Sequence, residues 1–234
     1  MHLIDTNGKG VDHLTSSGAV VNGTEYPLDL LIFSTGFNSP GQGSPAKCAG
    51  MEIRGTSGLG MEEKWDCGVG TLHGVLSRGF PNLFFLGPLQ AGASANWVSA
   101  LDQMACHIAY MVSTALAKVD SKDQANGEVN GAASGLENGL GNGKERKVVI
   151  EPSEAGEEGW SMQIMMRAMG LAALMGCTPS YINAEGGLDK PSSMEKQMRG
   201  ARRAPWGWGI LDYSRLLEEW RAKGDMEGLD VVVV

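Results

Sequence analysis

Two short apolar runs, each ending in a glycine turn, constrain this chain more than anything else in it. Leu28-Asp29-Leu30-Leu31-Ile32-Phe33 stops at Thr35-Gly36, and Asn82-Leu83-Phe84-Phe85-Leu86 stops at Gly87-Pro88. A run of five or six mostly apolar residues bounded by turn formers is the pattern of a strand buried on both faces, which points to a parallel sheet covered by helices. Loss of side-chain bulk at the carboxyl end of such a strand lets a ligand or a crossing chain approach the backbone closely. The fold class expected is α/β.

A helix follows the second run. Ser94 is placed to cap it, and Trp97, Leu101, Met104, Ile108, Val112 and Ala115 recur at three and four. The spacing predicts a helix from about Ser94 to Lys118 with Trp97, Leu101, Met104 and Ile108 buried on one face. Its first turn would offer backbone N–H groups and the positive end of the helix dipole to negative charge.

The remaining elements are plainer. Leu3-Ile4-Asp5 before Asn7-Gly8-Lys9-Gly10, and Ala19-Val20-Val21 before Asn22-Gly23, predict short antiparallel strands, because these turn residues accept positive φ. Residues 38–79 are rich in Gly, Pro and Ser and read as an excursion with one short helix near Met61 to Trp65. From Asp120 to Lys147 hardly any apolar residue could offset the entropy of ordering, so a flexible insert is expected. Beyond it come a strand at Val148 to Pro152 and a helix marked by Trp160, Ile164, Ala168, Leu171 and Met175, ending at Gly176. A last helix, marked by Tyr213, Leu216, Leu217 and Trp220, stops at Gly224. The organisation expected is 1–36, 37–118, the insert 119–147, and a helical extension 148–234.

Composition excludes more than it selects. With 27 acidic and 19 basic residues among 234, the formal charge of −8 recruits no polyanion, so nucleic acid is not an expected partner. No apolar stretch approaches the roughly 20 residues of a bilayer span, and Met1-His2-Leu3-Ile4-Asp5 turns polar too soon for a secretory signal. Cys48, Cys67, Cys106 and Cys177 show no Cys-x-x-Cys pair and are read as free thiols, which suits a cytoplasmic location.

Several motifs have plain structural readings. Gly41-Gln42-Gly43-Ser44-Pro45-Ala46 carries the letters of a dinucleotide turn, but Pro40 and Pro45 bracket it; Gly68-Val69-Gly70 fails in the same way. His2, His13, His73 and His107 lack metal-ligand spacing, and no metal site is expected. Cys106 beside His107 is read as a core cysteine and a surface histidine, since neighbouring helical residues point apart. Met162, Met165, Met166 and Met169 are read as core filler, with an adaptable apolar pocket as the other reading.

In this order, Asp29 to Phe37 with its Ser34-Thr35-Gly36, and Gly79-Phe80-Pro81-Asn82-Leu83-Phe84-Phe85-Leu86-Gly87-Pro88, resemble the C-terminal half of Baeyer–Villiger and related flavin-containing monooxygenases. The first matches the family's Ala-Thr-Gly motif, with Ser34 in place of alanine, where the chain passes between the FAD and NADPH domains. The second matches the segment that returns to the FAD domain. Glu62-Glu63-Lys64-Trp65, Gly68-Val69-Gly70-Thr71-Leu72-His73-Gly74, Gly92-Ala93-Ser94-Ala95-Asn96-Trp97, Cys177-Thr178-Pro179-Ser180-Tyr181 and Leu216-Leu217-Glu218-Glu219-Trp220 extend the likeness toward a fungal branch.

The resemblance implies the C-terminal portion of a two-dinucleotide-binding-domain (FAD/NAD(P)) flavoprotein fold, incomplete in this chain, with FAD and NADPH as cofactors. It implies oxygenation of a small-molecule ketone or heteroatom substrate by molecular oxygen. Gly87, Pro88, Ser94, Ala95 and Asn96 would lie against the flavin ring, and Thr35 and Gly36 would border the cofactor. The physics agrees for the helix start, since reduced flavin carries negative charge at its pyrimidine edge. Both Gly-rich phosphate-binding turns and the catalytic arginine would lie upstream of Met1, so no catalytic residue is assigned here. The alternative is a catalytically inactive fragment or binding domain. A two-dinucleotide flavoprotein reductase is disfavoured, because no redox cysteine pair is present.

Overall fold

The computed structural model describes residues 2–6, 8–34, 43–66, 68–125, 147–169, 175–178, 180, 183, 186–187, 190 and 192–233, with the backbone alone at 119–125. Two compact units divide the chain. One comprises residues 1–42 and 173–191, the other 43–172 and 192–234.

The first unit carries a three-stranded antiparallel sheet, β1 (His13–Leu14), β2 (Gly18–Val21) and β3 (Thr24–Pro27), in that order. Its second turn is the expected one: Asn22 at φ 51° and Gly23 at φ 73° close the hairpin with Val21 opposite Thr24. The sequence Leu3-Ile4-Asp5 forms no strand, and the sheet begins at His13 instead. Leu28–Phe33 is the larger correction. Its residues take no strand conformation, and Leu30, Ile32 and Phe33 are exposed. A strand buried on both faces needs a pairing strand and covering layers, and among the described residues none pairs with it.

The second unit is built around one helix. α1 (Pro45–Cys48) and α2 (Met61–Asp66) precede α3 (Trp97–Ala125), which is followed by β4 (Val148–Pro152), α4 (Glu154–Arg167), α5 (Met194–Arg202), α6 (Ile210–Lys223) and β5 (Leu229–Val233). β4 and β5 pair antiparallel, with Ile150 opposite Val231. Among the described residues no helix is long and apolar enough to cross a membrane.

α3 starts later, ends later and is turned relative to expectation. Asn96, not Ser94, caps it, its Oδ1 accepting from Ser99 N at 3.3 Å. The helix runs six residues into the segment expected to be flexible, and 126–146 lie outside the described residues. Its fully buried line is Ala100, Met104, His107, Met111 and Ala115, with Leu101 and Ile108 half-buried and Trp97 37% exposed. The buried stripe thus lies about one position away from the predicted one, because His107 is polar yet buried and Trp97 apolar yet exposed. Cys106 and His107 reverse the expectation: the thiol is exposed and the imidazole buried.

The core joins that line to Trp160 and Ile164 of α4, Tyr213, Leu217 and Trp220 of α6, and Ile150 of β4. α4 stops at Arg167, well short of Gly176, and the methionines read as core filler lie elsewhere, with Met162, Met166 and Met169 exposed. The side of α4 that enters the core carries Trp160 and Ile164, so methionines two residues further on face outward. α6 ends as expected at Gly224, in the left-handed conformation. α5 has no buried residue and β5 is a short valine run, and neither was anticipated.

The Asn82–Leu86 run is no regular strand either. Only an isolated bridge from Phe84 to Leu76 and a bond from Phe85 N to Val75 O (2.9 Å) hold it to the preceding turn. Asn82 instead docks on β4: its backbone N donates to Ile150 O, its Oδ1 accepts from Ile150 N, and its Nδ2 donates to Val148 O, all at 2.8–2.9 Å. An asparagine at φ 57° does what a strand residue would do while turning the chain.

Candidate functional site

Gly87 to Asn96 form the loop between the Phe84 bridge and α3. Its middle is sunk into the core and its two ends reach solvent: Leu89, Gln90, Ala91 and Gly92 are buried, whereas Ala93, Ala95 and Asn96 are exposed and Gly87, Pro88 and Ser94 are half-buried.

Gln90 fixes that loop, and nothing in the sequence singled it out. Fully buried at φ 56°, it accepts at Oε1 from Thr71 N (3.0 Å) and Thr71 Oγ1 (2.6 Å). Its Nε2 lies within 3.2 Å of Val69 O, Arg202 O and Ser161 Oγ. Its own carbonyl accepts from Trp160 Nε1 at 2.9 Å, and its N donates to Ala204 O. One amide thus ties the loop to the 69–71 turn, α4 and the end of α5, and a buried amide so fully bonded has one position. Gly92 presses on α6: a Cβ there would stand 2.5 Å from the Tyr213 ring.

The end of this rigid loop is the amino terminus of α3. Ser94 Oγ accepts from Asn96 N (3.1 Å), Asn96 caps Ser99, and the first turn holds no acidic side chain. The exposed amide end of a 29-residue helix, free of a competing carboxylate, attracts negative charge. Gly87 stands in open space, where a Cβ would meet nothing within 4 Å. Gly87, Pro88, Ser94, Ala95 and Asn96 therefore share one surface loop. Thr35 and Gly36 lie outside the described residues.

The other motif residues build the support. Lys64 Nζ is 2.8 and 2.9 Å from the Glu157 carboxylate oxygens and donates to Arg78 O at 2.7 Å. Glu157 also accepts from Arg78 N and Ser77 Oγ, and Ser77 donates to Gly70 O at 2.6 Å. Glu62-Glu63-Lys64-Trp65 and Gly68-Val69-Gly70 thus meet at one partly buried ion pair, with Gly70 required because a Cβ would stand 2.9 Å from Glu157. In the Gly41–Ala46 motif, Ser44 caps the four-residue α1, and Gly41 and Gln42 lie outside the described residues. Cys48, Cys106 and Cys177 are exposed thiols; Cys67 lies outside the described residues, as do Pro179 and Tyr181. Buried Asn183 knots the segment nearby, accepting from Ser180 N and Gly186 N and donating to Cys177 O and Thr178 O.

His73 and His107 make a second buried polar pair, Nδ1 to Nε2 at 3.0 Å, among the rings of Trp160 and Trp220. Burial, and then the charge of Arg221, pushes His107 down to about 3. Burial, and then the neighbouring His107, holds His73 well below its ordinary value. No group of three or more metal-binding side chains occurs among the described residues.

The α/β arrangement described above is similar to that of longer FAD- and NADP-linked monooxygenases. The chain matches the C-terminal part of that longer fold. More narrowly, its similarity in sequence and fold is to the C-terminal part of Baeyer–Villiger-type flavin-containing monooxygenases from fungi. It is 42% identical over 232 residues to the FAD-binding monooxygenase ausC of Emericella nidulans, covering 99% of this chain and 31% of that protein. It is 38% identical over 235 residues to the polycyclic ketone monooxygenase of Thermothelomyces thermophilus, covering 99% and 32%. The solved structure of the polycyclic ketone monooxygenase from Thermothelomyces thermophila superposes with a TM-score of 0.77 over 99% of this chain. A steroid monooxygenase bound to NADP, at 20% identity and TM-score 0.60, shares the fold. No family model matches. The chain spans about a third of the length of the curated relatives it matches.

Proposed function

We propose that these residues serve an FAD- and NADPH-dependent monooxygenase acting on a small-molecule ketone or heteroatom substrate. In it the Gly87–Asn96 loop and the start of α3 face the flavin ring, and Thr35 and Gly36 border the cofactor. The observation that carries the reading is the acid-free, Asn96-capped amino end of α3, delivered by a loop that Gln90 locks in place. It is supported by relatives named as FAD-binding monooxygenases and by the open space at Gly87, which suits close approach of a flat ring.

When bound, FAD reduced by NADPH supplies the activation of oxygen for insertion beside a carbonyl or onto a soft heteroatom. The chain's own contribution is positional and electrostatic. The α3 amides stabilise negative charge at the edge of the ring they face, and the buried Leu89–Gly92 stretch gives that end a fixed position. Because Gln90 spends every polar atom on the protein, it orients the loop and does no chemistry.

Phosphate contacts at a Gly-rich turn supply most of the affinity for a dinucleotide, and among the described residues Gly68-Val69-Gly70 serves the Glu157 clamp instead. The 234 residues alone are therefore expected to purify without stoichiometric flavin and without NADPH oxidation. Joined to an upstream half from a relative, they should retain flavin and oxidise NADPH. A visible spectrum decides the first point, and flavin absorbance at one equivalent would place the cofactor's main contacts in this chain. In the joined protein Gly87→Val should lower flavin content or turnover, although the fold has room for it; unchanged values would remove Gly87 from the site.

A further inference from the structure

A cavity of about 410 Å³ lies among residues of α4, α6 and the turn around Gly228, lined by Leu72, His73, Gly159, Trp160, Leu216 and Trp220 among others. No residue of the Gly87–Asn96 loop lines it, so it is separate from the surface assigned to flavin. Its lining is mixed, with the Trp160 and Trp220 indoles and Leu72 and Leu216 beside the polar side chains of His73, Gln163, Glu219, Lys223 and Glu227, and its volume falls in the usual range of a small-molecule pocket.

Three ring N–H groups belong to side chains that line it, and two are spent. Trp160 Nε1 donates to Gln90 O at 2.9 Å, and Trp220 Nε1 to Glu227 O at 3.0 Å. The third is set by a chain of tautomers. The Arg221 guanidinium can only donate, so at 3.4 Å it makes His107 Nδ1 an acceptor and leaves the His107 proton on Nε2. That proton goes to His73 Nδ1 at 3.0 Å, which leaves the His73 proton on Nε2. His73 is 4% exposed, and among the described residues its Nε2–H meets no acceptor. A donor that lines a cavity and gives its proton to no protein group is open to a ligand's acceptor in place of water.

The charged groups around the cavity narrow the ligand. Glu219 and Glu227 line it with Lys223, whose ammonium is 3.3 Å from Glu227, so the net field is negative and disfavours an anion. A cation would meet the donor face of His73. We propose that this cavity binds a small, uncharged, flat ring compound bearing one hydrogen-bond acceptor, an amide carbonyl or an aza-ring nitrogen. The acceptor takes the His73 Nε2–H, and the ring lies against the Trp160 and Trp220 indoles.

Benzamide is the probe, with benzoate and benzylamine as charged molecules of the same size, titrated into the 234-residue protein. Tryptophan fluorescence reads occupancy, and ¹⁵N-edited NMR reads the His73 Nε2–H. Benzamide should saturate the fluorescence change and shift the imidazole signal, with both charged analogues weaker by at least about tenfold. Replacing His73 itself risks the fold, since it sits at φ 52° in the core. Gly159→Leu avoids that risk: the residue lines the cavity and a Cβ there meets nothing within 4 Å. This variant should keep its thermal midpoint and lose benzamide binding. The proposal falls if benzamide gives no saturable response up to its solubility limit, if benzoate binds as well as benzamide, or if Gly159→Leu binds undiminished.

Discussion

The runs Asn82–Leu86 and Leu28–Phe33 share a composition and a glycine stop, yet the chain treats them oppositely. Phe84 packs against the main core and Phe85 against Trp65, while Ile32 and Phe33 are 77% and 70% exposed. The difference lies in what precedes and receives each run. Before Asn82, the Ser77–Arg78 turn is clamped by Glu157 and Lys64, and β4 accepts Asn82. Around Leu28 one backbone bond among the described residues, Leu28 N to Ser17 O at 3.0 Å, ties the run to a small sheet. Apolar pattern states a demand for burial; it does not supply the partner that meets it.

The clamp is where the comparison breaks most readily. Lys64→Met leaves the partly buried Glu157 carboxylate, 12% exposed, without its counter-charge, at a cost of about 2 kcal/mol, between that of an exposed and of a fully buried pair. The variant should unfold at markedly lower temperature or denaturant, and a midpoint equal to the parent's would mean that the turn is held by the backbone alone. Phe84→Ala comes next. Its ring is partly buried, so about 2 kcal/mol is expected, less than for a fully enclosed phenylalanine. Denaturant unfolding followed by tryptophan fluorescence measures it.

The histidine pair sharpens the same contrast, because His73 follows Leu72, which pairs with Leu76, which in turn bridges Phe84. Both imidazoles have pKa values lowered by folding, so the unfolded chain takes up protons that the folded one refuses. Stability is then full above about pH 6.5 and falls as pH drops toward the folded values, about 3 for His107. Below pH 6.5 the slope should be about 1.4 kcal/mol per pH unit for each histidine. Glu62 and Glu158 are lowered from 4.5, so their losses begin below that, and the window from 6.5 to 4.5 belongs to the imidazoles. Unfolding midpoints at pH 7.5, 6 and 5 test this, and His107→Gln should flatten the profile. A flat parent profile would place water in the pair's surroundings.

What the sequence made legible follows the reach of each interaction. The Asn22-Gly23 hairpin, α2, β4 and the Gly224 stop depend on neighbours a few residues away, and each lies where local pattern put it. Gln90, Glu157 and His107 work through partners 19 to 114 residues distant, and no local signal marks them. Their identity as polar residues hid their burial, which is also why the buried stripe on α3 lies one position away from the predicted one: His107 occupies a core place that a pattern of apolar letters leaves blank. Local pattern marks the Gly87-Pro88 stop and a helix start near Ser94 that favours negative charge, whereas the set Gly87, Pro88, Ser94, Ala95 and Asn96 and its flavin role rest on resemblance. The structure moves that beginning to Asn96.

The smallest effect is expected at the bare run. Phe33→Ala in the 234-residue chain removes a ring that is 70% exposed, so little apolar area leaves or enters water on unfolding. The change should lie within about 0.5 kcal/mol of the parent, as for other exposed positions. The matched substitution at Phe84 serves as its control, since the two residues differ in surroundings and not in chemistry. In a protein that also contains the upstream part found in the longer relatives, Phe33→Ala should become costly if that part covers the run, and its cost should then approach that of Phe84→Ala. Equal, small effects of Phe33→Ala in both proteins would mean that this apolar run stays exposed in the longer protein too, and the sheet demanded by its composition would not exist.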